Sequence, residues 1–495
     1  MKTNPFLLTD YYKVGHVFQY PAKTELVYSN LTPRSSRLKD IDEMVFFGMQ
    51  YFIKKYLLNY FNENFFYQPK EKIIREYKRR INTSLGTGLP TYEHLERLHD
   101  LGYLPIEIKA LPEGSKVPMK VPCITIVNTI PEFYWITNFL ETLLSAIIWQ
   151  PCTSATIAHA YRKLLNKYAA ETGMPQEFVQ WQGHDFSFRG MSSLETAILS
   201  GMGHLLSFTG TDTIPAIDAL EQYYNADADI ELIGGSVAAT EHSVMCSGSK
   251  DGELETFHRL ISEVYPNGIV SIVSDTWDLW KVCTEYLPAL KTVILQREGK
   301  VVIRPDSGDP IKIICGDPDA NNIAAKKGVV ELLWDVFGGT ITAQGYKLLD
   351  PHIGAIYGDS INLERAAQIC DGLKEKGFAT QVVFGIGSYT YQYNTRDTFG
   401  TAMKATYVVI DGEGREIFKN PITDDGTKKS ATGLLNVQKE NNHFVLYDKV
   451  SWEEEATSEL KTVFKDGKIT KEFTLAEIRA TLAEQVLVTS SSSLV

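Results

Sequence analysis

The sequence predicts an α/β fold in which a TIM-like barrel is joined to a second α+β domain made from the two ends of the chain. Short β-rich runs alternate with helical segments after about residue 150, as is typical of parallel βαβ units. Polar motifs follow most of these runs, where the strands are expected to end. After about residue 400 the pattern changes to antiparallel hairpins. Together these observations favour a barrel over an open sheet.

The first part of the chain mixes helices with short strands. Glu43–Tyr60 is a predicted helix, Pro122–Val127 is a predicted strand, and Phe133–Trp149 has apolar residues at helical spacing. The apolar stretch Ile136–Trp149 contains polar residues and is too short to span a membrane. The N-terminus lacks the apolar region of a signal peptide. We therefore expect a cytoplasmic protein that has no membrane partner.

The middle of the chain, residues 151–395, supplies the predicted barrel. Its predicted helices lie near residues 155–170, 193–206, 214–224 and 276–285. Its predicted strands are one that leads to Gly183, followed by Gly268–Val273, Val301–Ile303, Ala355–Tyr357 and Gln381–Phe384.

Six polar motifs accompany these elements, and most of them follow a strand and precede a helix. They are His184-Asp185-Phe186, Gly210-Thr211-Asp212, Ser274-Asp275, Arg304-Pro305-Asp306-Ser307-Gly308, Gly358-Asp359-Ser360 and Gly385-Ile386-Gly387-Ser388. An α/β barrel brings the C-terminal ends of its strands to one face, where active sites are built. Six independent turns would be a poor explanation of this pattern, so we expect the motifs to form one site.

The C-terminal part contains two predicted hairpins, each centred on an Asp-Gly pair that suits a tight turn. Asp411-Gly412 separates Lys404–Ile410 from Glu416–Lys419, and Asp466-Gly467 separates Thr462–Phe464 from Ile469–Thr470. Leu475–Gln485 is a predicted helix. We expect the hairpins to pack back onto the N-terminal segment, so that residues 1–150 and 396–495 form the α+β domain.

Composition excludes several classes of function. A formal charge of −12 over 495 residues leaves no basic stripe for a nucleic-acid backbone, so no nucleic-acid partner is expected. Six cysteines are present, but none forms a CxxC pair and no histidine stands at zinc spacing beside them. We expect them to be reduced and mostly buried thiols.

An ordered set of motifs over nearly the whole chain resembles the nicotinamide phosphoribosyltransferase family, which belongs to the type II phosphoribosyltransferases. The set comprises Thr9-Asp10-Tyr11-Tyr12-Lys13, His184 to Gly190, Gly210 to Thr213, Glu241-His242-Ser243, Val273 to Asp275, Ile303 to Gly308, Gly358-Asp359, Gly345 to Leu348 and Thr395-Arg396-Asp397. The resemblance implies transfer of the phosphoribosyl group of phosphoribosyl pyrophosphate to nicotinamide. It also implies a homodimer with active sites at the subunit interface.

The donor substrate carries a 5′-phosphate and a pyrophosphate, so that its site needs cations and Mg²⁺. We find no strand that ends in the paired acidic residues used by type I phosphoribosyltransferases. The loop at Arg304 and Asp306 can serve instead, because Arg304 suits a phosphate or an amide oxygen and Asp306 suits ribose hydroxyls or hydrated Mg²⁺. Asp275 is a second candidate for the Mg²⁺ or pyrophosphate region, or else the N-cap of the helix predicted at 276.

The base site is predicted around Phe186, whose ring can stack on a flat heterocycle. Asp212 can accept a hydrogen bond from the carboxamide of nicotinamide and would repel the carboxylate of nicotinate, and it can also cap the helix that follows. Arg304 or a backbone group can meet the carboxamide oxygen. The resemblance implies that Tyr12 of a second subunit covers the other face of the ring, and its motif adds Asp10 to the substrate-binding residues.

The polyanionic part of the donor calls for further groups. The motifs and their positive charges predict an anion-binding cluster of Arg189, Arg304, Arg34, Arg396 and Lys404. The resemblance assigns the last three to the neighbouring subunit. Gly385 and Gly387 can expose backbone N–H groups to the 5′-phosphate, although Ser388 and Tyr389 stand where relatives carry consecutive glycines. Gly358 and Asp359 suit the ribose hydroxyls.

His242 carries a further expectation, because the resemblance matches it to a histidine that ATP phosphorylates, which would couple ATP hydrolysis to synthesis. ATP is therefore an expected co-substrate. Lys428 and Lys429 lie in a basic segment that matches the family only loosely.

Three other functions compete with this interpretation. A nicotinate phosphoribosyltransferase would share the fold but not the role of Asp212. A barrel glycoside hydrolase would use strand-end carboxylates, but it leaves the Arg and Lys cluster unexplained. A binding or signalling protein could keep the fold without activity, although the charged positions are intact.

Overall fold

The computed structural model describes residues 3–86, 88–419, 422–423 and 431–491. The candidate residues Lys428 and Lys429 lie outside the described residues. Contacts divide the chain into two compact units: a first unit of Met1–Thr156, Asp218–Asp227 and Asn394–Val495, and a second unit of Ile157–Ile217 and Ala228–Tyr393. The domain boundaries predicted near residues 150 and 396 stay a prediction.

The strands of the described residues are numbered in chain order. They are β1 (Thr24–Thr32), β2 (Glu43–Val45), β3 (Ile106–Ala110), β4 (Lys116–Pro118), β5 (Ile124–Asn128), β6 (Gly183–Asp185), β7 (Gly210–Thr211), β8 (Ala238–Ala239), β9 (Val270–Val273), β10 (Val301–Arg304), β11 (Gly339–Ile341), β12 (Lys347–Leu349), β13 (Ile353–Tyr357), β14 (Val382–Ile386), β15 (Ala402–Ile410), β16 (Glu413–Glu416), β17 (Leu434–Glu440), β18 (His443–Val450), β19 (Lys461–Lys465) and β20 (Lys468–Ile469).

The α-helices are numbered in the same way. They are α1 (His16–Gln19), α2 (Met49–Phe52), α3 (Lys70–Ser84), α4 (Glu93–Leu101), α5 (Ile136–Phe139), α6 (Glu141–Thr172), α7 (Val179–Gln182), α8 (Leu194–His204), α9 (Ile214–Tyr224), α10 (His242–Ser247), α11 (Glu253–Arg259), α12 (Leu279–Lys281), α13 (Leu287–Leu295), α14 (Pro310–Cys315), α15 (Ile323–Lys327), α16 (Val329–Phe337), α17 (Leu363–Glu375), α18 (Ser388–Tyr391), α19 (Trp452–Glu455) and α20 (Leu475–Ser491). Segments of π-helix continue α2, α11 and α12 over Ile53–Tyr60, Leu260–Val264 and Val282–Tyr286, respectively.

The first unit contains a seven-stranded antiparallel sheet in the order β16-β15-β1-β5-β3-β19-β20. Strand β15 pairs with β1 along almost its full length, and β19 pairs with β3. The C-terminal hairpins thus pack on N-terminal strands, as the sequence predicted. At both hairpin tips the Asp and Gly residues have positive φ, at 52° and 75° for Asp411 and Gly412 and at 48° and 75° for Asp466 and Gly467. Positive φ at both positions is the requirement of the turn that the Asp-Gly pairs predicted.

The second unit contains the predicted barrel. Its seven strands run parallel in the order β7-β6-β14-β13-β10-β9-β8. Gly210 at one edge also forms a parallel bridge with Gly235, which precedes the strand at the other edge. The N–H of Thr211 donates to the carbonyl of Gly235 at 2.9 Å, and the N–H of Gly235 donates to the carbonyl of Thr209 at 2.8 Å. This bridge joins the two edges, and the sheet is an irregular α/β barrel, as the sequence predicted.

The core of the barrel consists of apolar strand residues. Strands β9 and β13 are buried over their full length, as is expected for parallel strands covered on both faces. The strands end where the polar motifs begin, so that the side chains of interest stand at the C-terminal edge of the sheet.

Some predicted elements were wrong in part. The strand expected at Glu416–Lys419 runs instead over Glu413–Glu416. The helix expected from Glu43 starts at Met49, because Glu43–Val45 pairs with Lys116–Pro118 and Gly48 adopts φ +100°. The strand expected before Gly183 is the short helix α7, and only Gly183–Asp185 is extended. The helix expected at 276–285 starts at Leu279, after its cap at Asp278.

The cysteines agree with the expectation from the sequence: all six are free and five of them are buried, with Cys246 exposed. Burial raises the pKa of the Cys152 thiol to about 12, which is typical of an inert thiol in a protein core. Within the described residues, no helix is both long enough and apolar enough to cross a membrane.

Candidate active site

The second unit brings the predicted motifs together at the C-terminal ends of its strands. Phe186 follows β6, Asp212 follows β7 and Asp275 follows β9. Arg304 is the last residue of β10, and Asp306 lies in the loop after it. The remaining loops start at Gly358 after β13 and at Gly387 after β14.

Phe186 packs its ring against the backbone of Gly385 and Gly358. Its N–H donates to the carbonyl of Ile386 at 3.0 Å, which holds its backbone against β14. A Cβ at Gly385 would lie 2.3 Å from Phe186 Cδ2, and a Cβ at Gly358 would lie 3.1 Å from Phe186 Cε2 and 3.0 Å from Asp306 Oδ1. Only glycine therefore leaves room for the ring at Gly385. The same contacts place Phe186 next to Asp306.

The carboxylate of Asp212 is held by a hydrogen bond to the side chain of His184. His184 Nε2 is 2.8 Å from Asp212 Oδ1, and the Ser236 hydroxyl donates to the same oxygen at 2.6 Å. Partial burial on its own would raise the pKa of Asp212, but the hydrogen bonds and charge of His184, the hydrogen bond of Ser236 and the charge of Arg304 together lower it. The side chain is 50% exposed, so the ionised carboxylate faces the open side of the site.

Asp185 is buried, and no role of its own was predicted for it from the sequence. Its Oδ1 accepts hydrogen bonds from the N–H and hydroxyl of Ser187 at 2.9 and 2.6 Å, and its Oδ2 accepts from the Thr213 hydroxyl at 2.7 Å. Its own carbonyl accepts from the N–H of Asp212 at 3.0 Å. Asp185 thus ties the loop of Phe186 to the loop of Asp212. The signal available in the sequence was an aspartate inside a strand-end motif, two residues before Ser187.

Arg304 reaches inward rather than towards solvent, because its side chain is only 13% exposed. One terminal nitrogen donates to the carbonyl of Thr240 at 2.8 Å, and Nε lies 3.3 Å from Asp306 Oδ2. Its positive charge acts on both Asp212 and Asp306. Arg304 is therefore placed between the predicted base site and the predicted donor site.

Asp275 and Asp306 form a close acidic pair. Asp275 Oδ2 accepts a hydrogen bond from the N–H of Asp306 at 2.8 Å, and Asp275 Oδ1 lies 3.5 Å from His242 Nε2. Burial, together with the charges of Asp275 and Asp359, raises the pKa of Asp306 against the opposing effect of Arg304 and His242. Asp275 does not cap the following helix, since that role belongs to Asp278.

The residues predicted around ribose and phosphate lie in neighbouring loops. Asp359 Oδ2 accepts a hydrogen bond from Ser360 at 2.8 Å. Arg189 is exposed in the turn Phe188–Gly190, and that turn packs on the start of α18, since a Cβ at Gly190 would lie 2.0 Å from Ser388 Oγ. The Arg189 turn and the Gly387 loop therefore adjoin each other.

The first unit holds the candidates that the resemblance assigned to a neighbouring subunit. Arg34 Nε donates to the carbonyl of Gly400 at 2.7 Å. Burial lowers the pKa of Lys404, and the charges of Arg34, Lys419 and Lys13 add to this effect while Glu141 opposes it. Arg34 and Lys404 therefore belong to one group of cations.

Three other candidates of this unit lie at its surface. Tyr12 is 60% exposed and its ring packs edge-on to His16 at 5.3 Å. Asp10 Oδ2 accepts a hydrogen bond from Thr142 at 2.8 Å. Arg396 is half exposed and lies 3.2 Å from Asp397 Oδ1.

The carboxylates of Asp275 and Asp306 are suited to bind a divalent cation that a substrate binds as well. Asp275 Oδ1 is buried and accepts no hydrogen bond among the described residues, although His242 Nε2 lies 3.5 Å from it. Burial, together with the charges of Asp275 and Asp359, raises the pKa of Asp306. Mg²⁺ commonly uses one or two carboxylates and completes its shell with water and substrate phosphates. Elsewhere in the described residues, as here, no three His, Cys, Asp or Glu side chains converge to hold a metal on their own.

The chain is similar in sequence to known proteins. The sequence profile of the nicotinate phosphoribosyltransferase (NAPRTase) family matches residues 181–468, and that of the nicotinamide phosphoribosyltransferase N-terminal domain matches residues 4–108. The chain is 56% identical over 498 residues to a nicotinamide phosphoribosyltransferase of Acinetobacter baylyi, with 98% of each chain covered. It is 36% identical over 450 residues to that of Mycoplasma pneumoniae, with 87% of this chain and 95% of the relative covered.

The fold has solved counterparts as well. The crystal structure of a nicotinate-nucleotide pyrophosphorylase from Pyrococcus furiosus superposes with a TM-score of 0.59 at 15% identity, covering 98% of this chain and 96% of the other. The barrel and the charged residues at its strand ends define an enzyme of the phosphoribosyltransferase class, with the type II fold. The chain belongs to the nicotinate phosphoribosyltransferase family. Membership of this family excludes the glycoside hydrolase interpretation.

Proposed function

We propose that this enzyme joins nicotinamide to the ribose of phosphoribosyl pyrophosphate, releasing pyrophosphate and giving nicotinamide mononucleotide for NAD salvage. The observation that carries the proposal is the convergence of an aromatic ring, an ionised carboxylate and a buried guanidinium in one group of strand-end loops. Phe186, Asp212 and Arg304 provide these groups, next to the acidic pair Asp275 and Asp306. The names of the relatives in Acinetobacter and Mycoplasma support the same substrate.

The chemistry requires little proton transfer. The ring nitrogen of nicotinamide has a free lone pair, which forms the bond to ribose C1′ while the bond from C1′ to the pyrophosphate oxygen breaks. The base becomes a pyridinium cation, and the electron pair leaves with pyrophosphate. The enzyme then acts by positioning both substrates and by balancing the charge on the leaving group. Asp306 and Asp359 suit the ribose, Arg304 and Arg189 suit the phosphates, and Gly385 and Gly387 suit the 5′-phosphate.

Mg²⁺ would be held by Asp306 and Asp275, directly or through water, and would neutralise charge on the pyrophosphate group. The support for this role is the buried Oδ1 of Asp275, which accepts no hydrogen bond among the described residues, beside the partly buried carboxyl of Asp306.

Asp212 sets the choice of base. Its ionised, half-exposed carboxylate suits the carboxamide N–H of nicotinamide and repels the carboxylate of nicotinate. Phe186 packs on one face of the ring. The family also contains nicotinate phosphoribosyltransferases, so that nicotinate is the alternative substrate, and the ionised state of Asp212 is the observation against it.

His242 is the proposed acceptor of the γ-phosphoryl group of ATP. Its side chain is 51% exposed, and Asp275 Oδ1 lies 3.5 Å from Nε2. A proton on Nε2 that faces Asp275 leaves the lone pair of Nδ1 free to form the bond to phosphorus while the bond to ADP breaks. Hydrolysis of this phosphohistidine would stimulate synthesis.

A homodimer completes the proposed site. A second copy contributes Tyr12 and Asp10 to the base and Arg34, Arg396 and Lys404 to the anionic groups. The exposure of Tyr12 and the shared positive charge around Lys404 support these roles. The proposed location is the cytoplasm, where nucleotide salvage takes place.

One assay tests the proposed reaction. The purified enzyme is given phosphoribosyl pyrophosphate and Mg²⁺ with either nicotinamide or nicotinate, and the mononucleotide and pyrophosphate are measured. We expect nicotinamide mononucleotide to be the main product. Preference for nicotinate would contradict the proposed substrate, and absence of pyrophosphate release with either base would favour a non-catalytic binding protein.

The variant Asp212→Asn tests the basis of the choice. It should lower kcat/KM for nicotinamide and raise that for nicotinate, each by about tenfold or more, since the acceptor and its repulsive charge are both lost. Asp335→Asn is a matched control, because Asp335 forms a half-exposed ion pair with Lys327 at the surface. Unchanged values for both bases in Asp212→Asn would show that Asp212 does not select the base.

A further inference from the structure

The carboxylate of Asp212 is not free to rotate. His184 Nε2 lies 2.8 Å from Oδ1 and the Ser236 hydroxyl lies 2.6 Å from the same oxygen, whereas Oδ2 has no hydrogen-bond partner among the described residues. One oxygen is therefore saturated by the protein and the other is open. An ionised carboxylate oxygen in this arrangement is a single, directed acceptor.

The two donors are themselves held firmly. His184 is 10% exposed, and its ring lies between the Phe186 ring at 4.8 Å and the backbone of Gly210, where a Cβ would come within 2.7 Å of Nδ1. Ser236 directly follows Gly235, whose backbone pairs with Thr209 and Thr211 across the closing bridge of the barrel. His184 lies on β6, which pairs with β7, and Ser236 follows the residue that bridges to β7, so both donors are anchored beside the loop of Asp212.

Arg304 makes this restraint important. Its positive charge already acts on Asp212. A half-exposed aspartate without its two donors could turn towards the guanidinium and form a direct ion pair. Such a pair would remove both the acceptor for the carboxamide N–H and the donor for the carboxamide oxygen.

We propose that His184 and Ser236 are positioning residues that hold Oδ1 of Asp212, so that Oδ2 alone is presented to the carboxamide of the base. This inference rests on the proposed use of nicotinamide. It assigns a substrate-selecting role to two residues that act through Asp212 and need not touch the substrate.

The test compares kcat and KM for nicotinamide and nicotinate, with saturating phosphoribosyl pyrophosphate, in the full-length enzyme. In His184→Ala the ratio of kcat/KM for nicotinamide to that for nicotinate should fall by about tenfold or more, mainly through a higher KM for nicotinamide. His184→Gln should restore the ratio to within about threefold, because the glutamine amide can donate from near the position of Nε2. If the role of His184 were purely structural, its loss would lower kcat/KM for both bases alike.

Two further variants keep the test decisive. Ser236→Ala removes one exposed hydroxyl, so that it should fold and should lower the ratio by about threefold. In an Asp212→Ala background, His184→Ala should leave the ratio unchanged, because a positioning residue has no effect once its target is gone. Tyr168→Phe is the matched control, since it removes a 2.6 Å hydrogen bond to Asp371 that joins α6 to α17 and involves none of the strand-end loops.

The outcomes separate the two proposals. If the wild-type enzyme uses nicotinate at least as well as nicotinamide, the proposed function fails whatever the variants do. If the wild-type enzyme prefers nicotinamide but His184→Ala and Ser236→Ala keep its ratio, only the positioning role is overturned. If His184→Ala does not fold, Ser236→Ala decides between the same two results.

Discussion

Asp275 Oδ2 accepts a hydrogen bond of 2.8 Å from the backbone N–H of Asp306, so that the loop after one barrel strand fixes the loop after the next. The Ser307 hydroxyl donates to the same oxygen. Asp275 is only 6% exposed, and its loss would leave the N–H of Asp306 without an acceptor. The position of Asp306 in the proposed donor site therefore depends on Asp275.

The first prediction concerns this pair. Asp275→Ala should lower kcat/KM for phosphoribosyl pyrophosphate by about a hundredfold, because Asp306 moves and a proposed Mg²⁺ ligand is lost. It should also lower the free energy of unfolding by about 1–3 kcal/mol, the usual effect of an unsatisfied buried group. Steady-state kinetics at varied donor concentration and denaturant unfolding measure the two effects.

Asp278 provides the control for Asp275, because it lies on the same loop but caps α12 through the N–H groups of Trp280 and Lys281. Asp278→Ala should lower the free energy of unfolding by about 1 kcal/mol without a comparable loss of kcat/KM. Similar kinetic losses in both variants would mean that the whole loop, rather than Asp275, determines activity.

The second prediction concerns Gly385, which packs against the ring of Phe186, with Gly387 as its control. Gly385→Ala places a Cβ 2.3 Å from Phe186 Cδ2 and 2.7 Å from the Cα of Gly358, so that the ring must move. We expect KM for nicotinamide to rise by about tenfold or more. Gly387→Ala meets nothing within 4 Å, so that it should leave KM for nicotinamide unchanged and act, if at all, on KM for the donor. Equal effects on nicotinamide in both variants would contradict the steric role of Gly385.

Local sequence signals were sufficient where local geometry decides the structure. Helix α9 (Ile214–Tyr224) was predicted at 214–224, and the Asp-Gly pairs identified both hairpin tips, since few other residues adopt positive φ at low cost. The sequence failed where pairing over long distances decides. Glu43–Val45 is a strand because Lys116–Pro118 lies beside it, and this partner is far from Glu43 in the sequence.

The candidate site shows the same division. Residues that follow strands, such as Asp212 and Asp306, were predicted, because a barrel brings strand ends to one face. The residues that hold them were not. Asp212 is fixed by His184 and Ser236, which lie 28 and 24 residues away, and their effect depends on the register of β6 and the closing bridge. No periodicity in the sequence specifies such a contact.

The third prediction concerns His242. With the γ-phosphoryl group of ATP labelled, the wild-type enzyme should acquire an acid-labile, base-stable label, and His242→Ala should acquire none. Synthesis of nicotinamide mononucleotide should lose its stimulation by ATP in this variant but remain measurable. His258→Ala is the control, because His258 is also exposed and lies on α11, outside the strand-end loops. Undiminished labelling of His242→Ala would place the phosphoryl group on another residue.

The fourth prediction concerns pH and Glu113, which is 2% exposed in the first unit. Its carboxyl accepts hydrogen bonds from the N–H groups of Gly48 and Gln50 at 2.7 and 2.6 Å, at the start of α2, and from the Tyr224 hydroxyl at 3.0 Å. Burial nevertheless raises the pKa of Glu113 to about 7 from an ordinary value of 4.5. Between these values the folded protein keeps a proton that the unfolded chain releases.

It follows that the contribution of Glu113 to the free energy of unfolding falls as pH rises from about 4.5 to about 7 and is then level, with a total change on the order of 1–3 kcal/mol. Glu113→Gln cannot titrate, so that the wild-type value minus the variant value, measured by denaturant unfolding from pH 5 to pH 8, should decrease with rising pH. Glu253, whose pKa burial also raises to about 7, is present in both proteins, so its effect cancels in the difference. A difference that stays constant or increases with pH would show that Glu113 is ionised in the folded protein throughout this range.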